Sequence, residues 1–129
     1  MSVKEKFELE YLFKTSLKMI ENVVTTPNGL AEWFCDDVNV SGNIFSFIWD
    51  GSTEDAKQLQ KKSGFHVRYK WLTDEEEGND VYFEFQYTID PMTKVLVLKV
   101  IDFAEPEELV NSKQLWDSQI QDLKRYLGA

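Results

Sequence analysis

The chain has 129 residues, of which 43% are apolar and 14% aromatic, and it carries a formal net charge of -9. This length and composition suit a single domain with a continuous core, which we expect to cover residues 1–129. The acidic balance repels phosphate groups and anionic headgroups, so neither nucleic acid nor a membrane surface is expected as a partner.

The first predicted element is a β-strand over residues 5–14. Its apolar side chains occupy alternate positions, namely Phe7, Leu9, Tyr11 and Phe13. Alternation with a period of two is typical of a strand that buries one face. The chain is therefore expected to start in a sheet.

Two short helices are predicted after this strand. The Thr15-Ser16 pair can cap a helix that runs through about Val24. The Thr26-Pro27 pair supplies a second cap with proline at the first helical position, and this helix is expected to reach about Phe34.

The segment from residue 37 to residue 103 contains only short apolar runs that alternate with a period of two. Turns rich in glycine, asparagine and proline separate these runs, which predicts a meander of five or six antiparallel strands. The alternating positions are Val38 and Val40; Phe45, Phe47 and Trp49; Phe65, Val67, Tyr69 and Trp71; Val81, Phe83, Phe85 and Tyr87; and those from Val95 to Ile101.

Two segments of the meander have an unusual composition. Residues 53–62 are rich in helix-forming Glu, Ala, Lys, Gln and Leu, but turn signals flank them and a meander needs a return path. We therefore predict a strand at 53–62. The acidic run from Asp74 to Glu77 is interpreted as the tip of a hairpin.

A long helix is predicted at the C-terminus. It starts at Pro106, has basic residues in its last turn and ends before Gly128. Its apolar stripe needs a sheet to cover, and it consists of Leu109, Trp116, Ile120, Leu123 and Leu127, widened by Leu115 and Tyr126.

The order of these elements resembles that of the helix-grip, START-like superfamily. Within it, three phrases are similar to small bacterial relatives of the Aha-type heat-shock ATPase activator domain: Thr26-Pro27 with Ala31 to Phe34, Phe45 to Gly51, and Val67 to Trp71. The resemblance implies an α+β fold in which a curved antiparallel sheet of about six to seven strands wraps around the long helix. It also implies a functional range from carriers of hydrophobic ligands to cyclases, hydrolases and chaperone co-factors.

A sheet that curves under a helix encloses a space lined by alternate strand residues, and here those residues are mostly aromatic. They can line a pocket for an apolar, planar ligand, or their rings can fill the space as a solid core. The candidate ligand-binding residues are Phe45, Phe47, Trp49, Tyr69, Trp71, Phe83, Phe85 and Tyr87 on the strands, with Trp116 and Ile120 on the helix.

Polar atoms would orient a ligand in such a pocket. The candidates are the hydroxyls of Tyr69 and Tyr87 and the indole groups of Trp49 and Trp116. A shift of the register by one residue would exchange this set for Glu84 and Gln86.

No recognisable catalytic motif accompanies these residues. His66, the only histidine, alternates with Arg68 on the face opposite Tyr69, so we expect it to be exposed. Cys35 is the only cysteine and has no cationic neighbour, which favours a packed side chain without a redox role. The acidic clusters lack the spacing of a metal site, and no phosphate-binding glycine loop is present, so no metal or cofactor is expected.

The sequence therefore predicts a non-catalytic domain that binds a small hydrophobic ligand between the sheet and the C-terminal helix. A protein-interaction domain of the Aha-type co-factor kind is the alternative, and a cyclase-like or hydrolase-like enzyme is the third hypothesis. The lone cysteine and the lack of an apolar signal region or spanning segment predict a cytoplasmic protein. Either a monomer or a homodimer is compatible with the pattern.

Overall fold

The computed structural model describes residues 4–129, which form one antiparallel sheet of seven strands and four α-helices. The strands are β1 (Glu5–Phe13), β2 (Asp37–Ser41), β3 (Ile44–Trp49), β4 (Ser52–Lys62), β5 (His66–Trp71), β6 (Phe83–Ile89) and β7 (Leu96–Ala104). The helices are α1 (Leu17–Thr25), α2 (Pro27–Leu30), α3 (Leu72–Glu77) and α4 (Leu109–Leu127).

The sheet has the order β1-β7-β6-β5-β4-β3-β2, so the meander from β2 to β7 continues onto β1 at the far edge. All neighbouring strands pair in the antiparallel sense. The sheet curves over the long helix α4, which confirms the α+β helix-grip fold predicted from the element order.

The inner face of the sheet carries the core. Phe7, Phe13, Leu98 and Val100 on β1 and β7 are buried on the same face as the aromatic residues of the central strands. Trp116, Ile120 and Leu123 of α4 join this cluster. The interior is thus one continuous apolar layer between sheet and helix.

The N-terminal helices start as predicted, but the second one is shorter. The Ser16 hydroxyl accepts a hydrogen bond from the Met19 amide at the start of α1, and the Thr26 hydroxyl accepts one from Gly29 at the start of α2. The prediction that α2 reaches about Phe34 was wrong, because the helix ends at Leu30 and the chain continues in tighter turns.

The acidic run from Asp74 to Glu77 was predicted to be the tip of a hairpin. It instead forms most of the short helix α3. Asp74 is buried there and accepts hydrogen bonds from Lys4 Nζ and Asn79 Nδ2, each at 3.1 Å. Acidic residues in the first turn favour a helix, and Gly78 ends it at a φ of 74°.

The segment at 53–62 is a strand, as predicted, despite its helix-forming composition. β4 pairs with β3 on one side and β5 on the other, and Ala56 is buried on the inner face. Pairing on both sides outweighs the intrinsic preference of these residues for a helix, which is worth roughly a few tenths of a kcal/mol per residue. The ladder has a bulge between Gln58 and Gln60.

The C-terminal helix differs from its prediction in two details. Residues Pro106–Glu108 form a 3₁₀ turn, and the α-helix itself starts at Leu109. Leu115 and Tyr126 do not widen the buried stripe as predicted, because 61% and 50% of their surfaces are exposed. Within residues 4–129, no helix is both long and apolar enough to span a membrane.

Candidate ligand-binding groove

The middle of the sheet is filled by aromatic rings. Phe45, Phe47, Tyr69, Phe83 and Phe85 are almost fully buried and contact one another. Tyr69 stacks on Phe83 with ring centroids 5.1 Å apart, and Phe45 meets Tyr69 edge to face at 5.4 Å. Of the two alternatives for this space, the rings therefore favour the solid core around the centres of β3, β5 and β6.

Open space lies at one end of this core, between α4 and the sheet. We call it the α4 groove. Its volume is about 470 Å³, and it is open to solvent. It is lined by Phe34, Trp49, Glu54, Trp71, Asp102, Leu115, Trp116 and Gln119.

The strand registers explain why these residues meet. Glu54 lies opposite the buried Phe47, so it belongs to the inner face of β4 near the end of the strand. Asp102 lies opposite Phe7 on the inner face of β7. Asp102 follows the buried Val100 on the inner face, whereas Glu54 is exposed and precedes the buried Ala56, so both carboxylates border the apolar core.

Four aromatic rings form a continuous wall of the groove. The centroid of the Trp49 ring lies 6.1 Å from that of Trp71 and 5.5 Å from that of Phe34. Phe34 in turn stacks on Trp116 at 5.9 Å. Trp49 and Trp71 are only partly buried, so the wall offers ring surface to a ligand.

Asp102 is the polar centre of the groove. One carboxylate oxygen accepts a hydrogen bond from Trp116 Nε1 at 2.9 Å, and the other accepts one from the Phe103 amide at 2.8 Å. Burial raises the pKa of Asp102 to about 6, although these hydrogen bonds and Lys4 oppose the rise. This carboxylate therefore changes its charge close to neutral pH.

Most side-chain donors of the groove are already engaged. Trp49 Nε1 donates to the Phe34 carbonyl oxygen at 2.8 Å, and Gln119 Nε2 donates to the same oxygen at 3.3 Å. Trp116 Nε1 is bound to Asp102. The groove thus presents hydrogen-bond acceptors more than donors.

The other predicted polar groups lie away from the groove. The Tyr69 hydroxyl donates to the Val24 carbonyl oxygen at 2.7 Å, which anchors α1 to the sheet. The Tyr87 hydroxyl is buried and has no hydrogen-bond partner among the described residues. Burial, reinforced by the charge of Glu21, raises the pKa of Tyr87 to about 12, so this hydroxyl stays neutral.

The two predicted ligand-binding residues on α4, Trp116 and Ile120, also differ in whether they line the groove. Trp116 is 6% exposed and belongs to the core as well as to the lining of the groove, whereas Ile120, one turn later, is 1% exposed and does not line it. Of the ten predicted ligand-binding residues, Trp49, Trp71 and Trp116 therefore line the α4 groove. The other seven do not.

Glu84 and Gln86 lie on the outer face of the sheet, as expected from the predicted register that places Tyr69 and Tyr87 on the inner face. Glu84 is buried there beneath an ion pair with Arg68, whose Nε lies 2.5 Å from the carboxylate. Gln86 Nε2 donates to the same carboxylate at 2.6 Å, and the Arg68 guanidinium lies 3.7 Å from the Tyr82 ring centroid. This cluster stabilises the outer face and is remote from α4.

A second groove on the outer face contains His66. It holds about 440 Å³, and Glu10, Phe65, Gln86, Tyr87, Thr88, Val97 and Lys99 line it with the histidine. His66 is partly exposed rather than fully exposed. Neither a cysteine nor a serine lines this groove, and its hydroxyl-bearing residues are Tyr87 and Thr88.

Cys35 is packed, as predicted. Its side chain is buried, and its Sγ lies 3.3 Å from the Asp37 carbonyl oxygen. Burial raises the pKa of the thiol to about 11, which keeps it protonated and unreactive.

The sequence reasoning missed the groove's carboxylates and Phe34. Asp102 shares the parity of Leu96, Leu98 and Val100, and a carboxylate at a core-facing position was the signal that could have revealed it. Glu54 was hidden by the ambiguous composition of β4. Residues 4–129 contain no cluster of three histidine, cysteine or carboxylate side chains arranged to hold a metal ion.

The sequence matches the family described as the START-like superfamily domain over residues 1–129. No curated protein matches the chain in sequence.

Among solved structures, protein BfR322 from Bacteroides fragilis is 33% identical, with 98% of this chain and 93% of that chain covered and a TM-score of 0.69. The Aha1 dimer from Colwellia psychrerythraea is 17% identical, with 93% of each chain covered and a TM-score of 0.79. Protein MLL2253 from Mesorhizobium loti is also 17% identical, with 96% and 97% covered and a TM-score of 0.77. The last two likenesses are likenesses of fold.

Proposed function

This chain belongs to the START-like superfamily, and from that premise we propose that it is a non-catalytic domain that binds a small, planar, largely apolar ligand in the α4 groove. The ligand would lie against the aromatic wall, at the open end of the space between the sheet and α4. The aromatic core beneath would serve as its rigid support.

The observation that carries this proposal is the unbroken series of rings Trp71, Trp49, Phe34 and Trp116 beside open space. Indole rings that are only partly covered in the free protein can gain contact with a flat ligand. Each aromatic pair formed in this way contributes roughly 0.5–1.5 kcal/mol beyond the burial of apolar area.

The dimensions of the groove suit a small molecule. Ligand pockets commonly enclose on the order of 300 to 1,000 Å³, and the α4 groove has about 470 Å³. Its polar side chains are few, namely Glu54, Asp102 and Gln119, which is the arrangement that orients a ligand without dominating its affinity.

A direct test is native mass spectrometry of the protein purified from the cells that make it. We expect a discrete extra mass of a few hundred daltons under native conditions that disappears on denaturation. The variant Trp71→Ala should lose this mass, because it removes one ring of the wall. Phe65→Ala, which truncates an exposed ring outside the groove, should retain it.

Circular dichroism of both variants separates loss of the ligand from loss of the fold. A ligand retained by folded Trp71→Ala and lost by Phe65→Ala would contradict the proposal, because it would place the site on another face. A protein that neither carries a ligand from its own cells nor binds added aromatic compounds would also contradict it.

Asp102 supports a second candidate function, acid–base chemistry on a bound ligand. A carboxyl group with a pKa of about 6 beside an aromatic groove can exchange a proton near neutral pH. The same purified ligand distinguishes the two functions. A binding domain returns it unchanged after incubation, whereas an enzyme converts it in a reaction that Asp102→Asn abolishes.

The alternative suggested by the sequence, a protein-interaction domain of the Aha type, draws on likeness of fold. The Aha1 dimer is 17% identical to this chain, and that likeness extends to the fold alone. The size of the α4 groove, about 470 Å³, favours a small molecule over a protein partner.

A further inference from the structure

We propose that the ligand of the α4 groove carries a positive charge, so that the groove selects a planar aromatic cation over a neutral or anionic ring of the same shape. This inference rests on the proposed function, since it concerns the same groove. It follows from the balance of acceptors and donors, from the charges that line the groove and from the kind of ring that forms its wall.

The acceptors of the groove outnumber its free donors. Glu54 contributes two carboxylate oxygens without a partner among the described residues, and each Asp102 oxygen, which already accepts one hydrogen bond, can accept another. The indole N–H groups of Trp49 and Trp116 and one N–H of the Gln119 amide are bound within the protein, as described above. The Trp71 indole N–H and the second N–H of Gln119 are the side-chain donors of the groove without a partner among the described residues. A ligand that donates hydrogen bonds or carries positive charge therefore fits better than one that accepts them.

The charges point the same way. Among the described residues that line the groove, Glu54 and Asp102 are acidic and none is basic. Lys4 lies near enough to influence Asp102, but its Nζ forms an ion pair with Asp74 at 3.1 Å. Glu54 has no ion pair with any residue from 4 to 129. A bound cation would supply the missing positive charge.

The aromatic wall favours a cation as well. The face of an aromatic ring attracts positive charge through its quadrupole, and tryptophan is the strongest of the natural rings in this respect. Three of the four wall residues are tryptophans. Cation–π attraction and the carboxylates that line the groove thus both favour a positively charged ligand.

The charge of the whole chain strengthens this selection at longer range. With a net charge of -9, the protein concentrates cations and repels anions near its surface. An anionic ligand would meet both this field and the two carboxylates of the groove.

The test uses three probes of the same bicyclic shape at pH 8: N-methylquinolinium, quinoline and quinoline-2-carboxylate, which are a cation, a neutral molecule and an anion. Isothermal titration calorimetry measures each affinity for the full chain. We expect N-methylquinolinium to bind about five- to tenfold more tightly than quinoline, as one or two partly screened charge contacts provide. Quinoline-2-carboxylate should bind most weakly.

Two variants assign the selectivity to the groove. Glu54→Gln, on the exposed end of β4, and Asp102→Asn should each lower the affinity for N-methylquinolinium about three- to fivefold, the effect of one partly screened charge, and leave quinoline unchanged. Glu107→Gln is the matched control. It removes one negative charge from an exposed position outside the groove and should leave all three affinities unchanged.

The outcomes separate this inference from the function on which it rests. Quinoline binding as tightly as N-methylquinolinium would overturn the charge selectivity and leave the binding function standing. Failure of all three probes to bind would contradict both. Equal losses in Glu54→Gln and Glu107→Gln would reduce the selectivity to the net charge of the chain and overturn the role of the groove, even if Asp102→Asn fails to fold.

Discussion

Asp102 occupies a position where the pattern of its strand requires an apolar side chain. The alternation of Leu96, Leu98 and Val100 places the next inner position at Asp102, where the carboxylate contacts Trp116. Burial disfavours its ionised form, which raises its pKa from 3.8 to about 6. Burying an ionisable carboxyl group in this way lowers the stability of the fold at neutral pH, and such positions are typical of functional sites.

The variant Asp102→Asn tests this cost. Because the pKa is raised in the folded state, Asp102 favours folding most at low pH, and its contribution is lost as the pH rises from about 4 through about 6. Asparagine has no such dependence. The unfolding free energy of the variant relative to the wild type should therefore increase by roughly 1–3 kcal/mol between pH 4 and pH 7.

Urea denaturation at a series of pH values measures this difference. The other charges near Asp102 are Lys4, which lowers its pKa, and Asp74, which raises it, and both remain in the variant. Parallel pH profiles for the wild type and the variant would refute the assignment of a raised pKa to Asp102.

The same residue shows why part of the site escaped sequence analysis. Alternation identified the buried faces, and Trp49, Trp71 and Trp116 were correctly placed among the inward-facing rings. The position at which α4 crosses the sheet decides whether an inward-facing residue lies in the solid core or borders open space. That crossing is set by packing across the whole interface, and periodicity carries no information about it.

Two residues of helix α4 that are about one turn apart differ in their surroundings. Ile120 is 1% exposed and packs into the core, whereas Leu115 is 61% exposed and lines the groove. The predicted stripe joined these residues because the spacing of apolar residues does not tell a core position from the rim of a groove.

Alanine substitutions at these two positions should therefore affect different properties, stability for Ile120 and ligand affinity for Leu115. Ile120→Ala should lower the unfolding free energy by about 2–5 kcal/mol, since it leaves a cavity. Leu115→Ala should change it by less than about 0.5 kcal/mol but weaken the binding of N-methylquinolinium about two- to fivefold through lost apolar contact. Urea denaturation and calorimetry measure the two effects, and similar destabilisation by both variants would contradict the division.

The elements themselves were largely predictable because local signals agreed with tertiary structure. Ser16 and Thr26 cap their helices, and Gly128 ends α4 at a φ of 70°. The exceptions are α2 and α3. The buried Asp74, with partners at Lys4 and Asn79, turns an acidic run that looked like a solvated loop into a helix.

At the scale of the whole molecule, one cluster of buried residues extends from β1 to α4. We propose that residues 1–129 are a single domain that folds cooperatively. Thermal unfolding should then give one transition whose calorimetric and van't Hoff enthalpies agree. Two separate transitions would contradict a single domain.

The central claim is that a small planar ligand binds in the α4 groove, and NMR titration of the ¹⁵N-labelled protein with quinoline or N-methylquinolinium tests it most directly. The indole N–H signals of Trp49, Trp71 and Trp116 should shift. The signal of Trp33, whose indole donates to the Val23 carbonyl oxygen in the interior, should stay in place. Shifts confined to His66, Gln86 and Lys99 would place the ligand on the outer face of the sheet and contradict the account.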